Sequence, residues 1–543
     1  MEGRCPDRAG TGRDRSLDHW SFVAQTFANM LVYRNIDLPT VASIPAEQYN
    51  RTNVLVLGVY NYLMKSKLLL VIVSVSLIIS AGMLRRGHEW GDDWAWYVLQ
   101  AKSLVDGTTA EFIAISDFTN YQSTTHLGPL AYPWGYPLII APFYAVNGLS
   151  PITLKIPGLI LYAGFLVCLY FLARSRLPQT ESLLVTSLFA FNPLLIQFLD
   201  HILSDIPFLF FSTLTLLLFT QKDRQHWSHY AFIGASIFFT AFLRATGILL
   251  LGSFLIIEFF KLLAVRTNRE MVKRIIINSF VVCFVFIVLW IMNALTFPGG
   301  GESYLSQYAN LSVEQVKGFI STYFIVFAWF FGEAAGWNYI YYVVLVFSLI
   351  GAWVRRRDDT IFILFFVLWM IVHITYPYWQ GPRYIFPLLP IFIYFAFQGM
   401  KAVIGRLPET YQVTGQRVFY GFWLVIIGYF LFTSGSSAYY NVRNGRQING
   451  PFDPVSMEVY DYIKKLPRDS VLIFYKARAM RLMTGYDTIM INECEGMLKG
   501  DYLILSKKVG ENNQVPPERI DSCNLPLDKV FDNRRFIIYE IEK

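Results

Sequence analysis

Residues 67–97 read KLLLVIVSVSLIISAGMLRRGHEWGDDWAWY, and the architecture of the chain turns on the solvent these residues need. Leu68 to Met83 carries no charge, and a bilayer core of about 30 Å takes about 20 residues of helix. The run starts too far from Met1 for a secretory signal peptide, and no small-residue cleavage pattern follows it. It reads as a membrane anchor. Directly behind it stand two acids, Asp92 and Asp93, among Trp94, Trp96 and Tyr97, side chains that enrich where a bilayer meets water.

Working outward, the same reading extends over most of the chain. Of 543 residues 54% are hydrophobic and only 16% charged, with a mean hydropathy of +0.40, well below the quarter charged of an average soluble domain. The net charge of +7 does not point to nucleic acid, because Lys and Arg fall in short runs between apolar segments. Eleven apolar runs long enough to cross lie near 67–84, 153–173, 182–199, 205–221, 228–243, 247–264, 275–296, 337–354, 360–376, 384–400 and 417–437. Two shorter pieces, 136–148 and 319–332, are spans or re-entrant helices, so the expected total is 11–13. The fold class is therefore mainly α, a polytopic transmembrane helix bundle.

Basic residues near span ends are retained on the cytoplasmic side. Lys65 and Lys67, then the loops with Arg174 and Arg176, Lys222 and Arg224, Lys261 to Arg274, Arg355 to Arg357, and Lys401 to Arg417, all agree with one orientation. Arg85 and Arg86 run against it. Residues 1–64 are then a cytoplasmic, partly disordered extension without a motif. Residues 65–440 form the membrane domain, with a long first external loop at 85–152, and 441–543 form an external soluble domain. That tail reads helix 455–465, strand 470–474, helix 476–484, strands 501–505 and 536–540, a small α/β pattern with no nucleotide loop or nucleophile elbow. Its Cys494 and Cys523 form a disulfide if the tail is outside the cytoplasm or stay as thiols, which makes them a test of sidedness.

Charges at membrane depth cost about 2.5–3.5 kcal/mol each, so those beside spans are functional candidates. On the outer face these are Asp92 and Asp93, His201 and Asp205, Arg244, and Arg383 with Tyr384. Asp92 and Asp93 open an amphipathic stretch from Trp94 to Val105, where one acid caps and a second exceeds what a cap needs. Asp92 is the expected general base and Asp93 its support. A carboxylate can take the proton of an attacking hydroxyl. Asp205 follows Ser204 and precedes Pro207, a helix-start pattern as well as a candidate acid. Arg383 follows a Gly-Pro turn, and an Arg fork binds phosphate oxygens bidentately. His201 and His126 have no partner at metal spacing, so no metal ligands are assigned. No cofactor is assigned either, with a divalent metal left open.

From residues 67 to 440 the chain resembles the GT-C class of membrane glycosyltransferases, in particular the protein-mannosyltransferase and aminoarabinose-transferase group of glycosyltransferase family 39. The likeness rests on the order of Gly91-Asp-Asp-Trp-Ala-Trp-Tyr97, Tyr132-Pro-Trp-Gly-Tyr-Pro137, Ser204-Asp205 and Pro382-Arg-Tyr384. The resemblance implies a GT-C fold and a polyprenyl-phosphate-linked sugar donor. It implies a glycan, lipid or protein acceptor, inverting transfer, and a plasma (inner) membrane site on the non-cytoplasmic side. It matches Asp92 to the catalytic first-loop aspartate, Asp205 to a second external acid and Arg383 to lipid-phosphate contact. From their places on the outer face, Tyr97, Tyr384, Arg244 and His201 are expected as further substrate-binding positions. At the turn, that group has an acidic-Lys pair where this chain has Ala131-Tyr132. The alternative is a lipid or solute transporter or flippase. Transporters concentrate ionisable groups at the midplane and repeat their halves, whereas these charges sit at span ends and no internal repeat is present.

Overall fold

In a computed structural model of the protein, which describes residues 67–124, 128–221, 226–299, 312–379, 381–508 and 513–542, the first uncharged run is the helix α1, Lys67–Met83. The expected extension at 1–64, Lys65, His126, Lys222 and Arg224 lie outside the described residues. Behind α1 the first loop forms α2 (Asp92–Asp106), α3 (Thr109–Gln122) and α4 (Gly135–Asn147). Then come α5 (Pro151–Arg174), α6 (Gln179–Ala190), α7 (Pro193–Phe198), α8 (Asp205–Thr220), α9 (Trp227–Leu243), α10 (Ile248–Ala264) and α11 (Arg269–Thr296). The bundle ends with α12 (Val313–Val326), α13 (Trp337–Arg355), α14 (Thr360–Ile374), α15 (Leu389–Ile404) and α16 (Glu409–Arg443).

Among the described residues six helices are long and apolar enough to cross a membrane, and α1, α8, α9 and α14 are shorter apolar helices. Their outward faces need lipid: on α11 Phe280 is 65% exposed and Leu295 83%, surface that water would penalise. The protein is an integral membrane protein. The run expected as one span over 182–199 is two helices, because Pro193 cannot supply the N–H that a continuing α6 would need. Asn192 turns the break into a joint. Its side chain accepts from Leu195 N at 3.1 Å and donates to the Phe330 carbonyl at 2.8 Å.

The C-terminal residues form α17 (Pro454–Ile463), β1 (Leu472–Ile473), α18 (Ala477–Thr484), β2 (Thr488–Ile489), β3 (Tyr502–Ser506), β4 (Leu527–Asp532) and β5 (Phe536–Ile541). The strands make one sheet in the order β2-β1-β3-β5-β4, parallel across β2-β1-β3 and antiparallel across β3-β5-β4. Alternate residues of β3 feed two cores, Tyr502 and Ile504 against α17, Leu503 and Leu505 on the other face. Cys494 and Cys523 are joined by a disulfide. The domain packs on the first loop: Trp90 meets Phe474 edge-on at 5.2 Å between ring centroids, and Met490 exchanges hydrogen bonds with Ser123 and Thr124, each at 2.9 Å.

Helices α13 and α15 approach most closely where small residues face each other, as membrane helices do in the absence of a hydrophobic drive between them. A Cβ on Gly399 would lie 1.8 Å from the Phe347 carbonyl oxygen, and one on Gly351 would lie 1.9 Å from that of Phe395. Backbone, not a flexible side chain, fills that space. Gly399→Val should therefore cost about 3 kcal/mol, read as a lower apparent Tm and a smaller monodisperse fraction in detergent. Gly421→Val, at a position with open space, should leave both unchanged.

Candidate functional site

Asp92 and Asp93 stand in the first turn of α2, yet neither caps it: Gly91 is the N-cap and no side chain bonds the free amides. Both are committed elsewhere. Asp93 Oδ1 accepts from the Tyr132 hydroxyl at 2.8 Å and Oδ2 from Arg383 Nη1 at 2.9 Å. Its side chain remains 38% exposed. Asp92 Oδ1 instead accepts the backbone N–H of Arg478 at 3.2 Å, from α18 of the C-terminal domain.

A second node forms where α8 begins. Ser204 precedes Asp205 without capping α8. Its hydroxyl meets the Tyr97 hydroxyl at 3.0 Å and accepts from Arg244 Nε at 3.0 Å, while Arg244 Nη2 lies 2.9 Å from Asp205 Oδ1. Aromatic rings connect the nodes. Tyr97 packs against Tyr132 at 4.9 Å and Tyr136 at 5.0 Å, and the Tyr384 ring carries Arg244 at 5.5 Å and Arg383 at 5.8 Å. Asp92, Asp93, Tyr97, Asp205, Arg244, Arg383 and Tyr384, read from distant stretches of sequence, thus share one end of the bundle.

The environment separates the two neighbouring acids. Burial works against the Asp93 charge, but Arg383, Tyr132 and Arg478 outweigh it and hold this carboxyl below its ordinary value. Burial dominates at Asp92, where Lys476 and Arg478 offset it only in part, so its proton affinity is raised. Burial also pushes the Tyr97 hydroxyl up to about 12, so it stays protonated. Among the described residues, no group of three or more His, Cys, Asp or Glu side chains is placed to hold a metal ion.

His201 departs from its expected place, since no contact among the described residues joins it to this cluster. It lies edge-on to His88 at 5.5 Å, in a neighbouring knot built on Asp200. There Lys155 Nζ bonds Asp200 Oδ1 at 2.7 Å and the carbonyls of Arg85 and Gly87 at 3.0 and 2.8 Å. Arg85 pairs with both Asp200 and Glu89. That commitment gives Arg85 a local reason for its position, independent of the charge rule it breaks. Two participants have no site role in the sequence reading: Tyr132, which figures there only as part of the Tyr132–Pro137 turn, and Arg478, which lies in the C-terminal domain beyond the end of α16 at Arg443.

A family model described as a predicted membrane protein, DUF2079, matches residues 117–464, more than half of the chain. The chain belongs to the DUF2079 family. No curated protein matches it. Among solved structures, ArnT from Cupriavidus metallidurans bound to undecaprenyl phosphate is similar with a TM-score of 0.53 and 12% identity, over 87% of this chain and 97% of that one. The apo oligosaccharyltransferase of Archaeoglobus fulgidus is similar with a TM-score of 0.50 and 11% identity, over 81% and 69%. The DUF2079 chain therefore has the GT-C fold expected from its motifs, including the small C-terminal sheet domain.

Removing one member of a buried ion pair strands its partner's charge. Arg244→Met should lower stability by about 3 kcal/mol, measured by thermal unfolding in detergent. Adding Asp205→Asn to it should cost far less than the sum of the single changes. Additive losses would mean that the two side chains are not coupled.

Proposed function

We propose that this protein is a membrane glycosyltransferase that moves a hexose or pentose from a polyprenyl-phosphate carrier to an acceptor hydroxyl or phosphate. The observation that carries the reading is the convergence of two arginines, Arg383 and Arg244, on the same cluster as an acidic pair. A transporter would gather its ionisable groups at mid-span, and this cluster draws on the first loop and on helix ends. ArnT, whose fold the chain shares, was seen with undecaprenyl phosphate, which supports a carrier of that chemistry.

In this mechanism the acceptor oxygen attacks the anomeric carbon as the bond from that carbon to the carrier phosphate breaks. The phosphate leaves with the bonding electron pair, and direct displacement inverts the centre. Arg383 and Arg244 face the phosphate oxygens, where forked, charge-assisted hydrogen bonds stabilise the departing charge. Asp92 takes the acceptor's proton, since its raised proton affinity suits a general base better than that of Asp93. Asp93 orients Arg383 and Tyr132. Glycans, lipids and proteins all offer suitable acceptors. Membrane lipids keep the apolar carrier at the helix ends.

The site and the C-terminal domain belong, on this reading, to the non-cytoplasmic side of a plasma or inner membrane. The Cys494–Cys523 disulfide supports it, because disulfides persist in oxidising compartments. A membrane-impermeant thiol reagent applied to intact cells after impermeant reduction should label both cysteines. Protection of both until the membrane is opened would reverse the orientation.

Purified protein in lipid should transfer label from a polyprenyl-phosphate sugar to an envelope extract. Asp92→Asn should lower kcat by about 100-fold or more with expression unchanged. Because a base must be deprotonated and Asp92 is raised, the acid limb of the kcat/KM profile should lie above the ordinary carboxylate range, with activity lost as pH falls through it. Wild-type rates in Asp92→Asn would remove Asp92 from the base role.

A further inference from the structure

The C-terminal domain enters the cluster through the first turn of α18, whose backbone holds Asp92 and whose Arg478 side chain reaches Tyr132. Arg478, in the first turn of α18, is 1% exposed, although Arg is almost never fully buried unless paired. Its guanidinium lies over the Trp96 ring at 4.2 Å and faces the Tyr132 ring at 5.5 Å. Nη1 donates to the Tyr132 hydroxyl at 3.0 Å and Nη2 to the Pro129 carbonyl at 3.5 Å. Nε is buried without a hydrogen-bond partner. No carboxylate forms a salt bridge with it among the described residues, whereas its neighbour Arg481 on the same helix pairs with Asp487 at the surface.

Holding two pieces of protein together does not require this arrangement. A buried charge with one nitrogen unsatisfied is costly, and well-packed apolar side chains of similar volume commonly serve adhesion as well or better. What the guanidinium does achieve is directional. The Tyr132 hydroxyl has one proton, given to Asp93 Oδ1, and its oxygen receives Arg478 Nη1, so the hydroxyl is held from both sides. The backbone N–H of the same residue holds Asp92. One residue of α18 thereby touches the supports of both acids.

We propose that Arg478 is a positioning residue of the active centre, so that the C-terminal domain completes the transferase site through the Arg478–Tyr132–Asp93 chain and the Arg478–Asp92 bond. This assignment rests on the transferase reading. Its physical content is separable from it, because the same contacts also order the first loop.

The test uses full-length protein in lipid, comparing wild type with Arg478→Gln, Arg478→Lys and the surface control Arg481→Gln. Transfer is followed across pH, alongside hydrogen–deuterium exchange of residues 90–100 and 129–136. Arg478→Gln should lower kcat by about 100-fold with a smaller change in donor KM. It should also move the acid limb to higher pH, because the Arg478 charge lowers the proton affinity of both Asp92 and Asp93. Arg478→Lys keeps the charge and loses the fork, so it should restore the limb and only part of kcat. Exchange in both peptides should rise in Arg478→Gln, and Arg481→Gln should match wild type throughout. Wild-type kcat and limb in Arg478→Gln, or a loss that tracks only the folded fraction with the limb unmoved, overturns the proposal. If wild type itself transfers nothing, the transferase reading falls and exchange decides alone: unchanged protection at 129–136 overturns the positioning of Tyr132, and faster exchange supports it.

Discussion

A carboxylate at the edge of a lipid-solvated bundle must be compensated, and the rest of the site is arranged around that requirement at Asp93. Its two oxygens take Tyr132 from the first loop and Arg383 from the turn before α15, positions nearly three hundred residues apart in the case of Arg383. Water would satisfy such a group anywhere on a soluble protein. Here the chain supplies partners for both oxygens, and each one brings its own backbone segment to the same spot. The first loop, the start of α8, the end of α9 and the entry to α15 are gathered by charge compensation as much as by packing.

The same logic operates at the neighbouring knot. Lys155 and Asp200 are almost wholly buried, and the lysine spends its remaining donors on the carbonyls of Arg85 and Gly87. The path of the chain as it leaves α1 is therefore fixed by hydrogen bonds from α5. His88, stacked on Trp94 at 4.6 Å, carries that constraint to the first turn of α2, where the acids stand. Burial and the neighbouring cations push the His88 proton affinity well below its usual value, so its ring is neutral and accepts from the Ile202 amide.

The helical bundle was legible because uncharged runs have one solvent that suits them, and the rim charges because a membrane makes every such residue conspicuous. Asp92, Asp93, Asp205, Arg244 and Arg383 were found by that route. His201 was found by it too and sits in the other knot, since proximity to a span end says which face a residue occupies but not which neighbour it meets. Arg478 was invisible for the converse reason: in a soluble domain an arginine is ordinary, and only the docking of α18 on α2 buries it. Strands β2 and β4 escaped notice on different grounds. The first is two residues long, and the second is largely exposed on its edge, so neither carries the alternation that marks a half-buried strand. The break at Pro193 was readable from Asn192-Pro193 but was masked by the apolar run around it.

Helix α16 continues unbroken through Arg443, past the depth a bilayer needs, before the chain turns into the C-terminal domain. A flexible linker would let that domain sample many orientations and dilute any one contact it makes. A rod delivers it in a narrow range of positions. The ordering entropy of bringing α18 to the first loop is thus largely met when the bundle folds, and a contact as exacting as a buried guanidinium can persist without a large interface behind it.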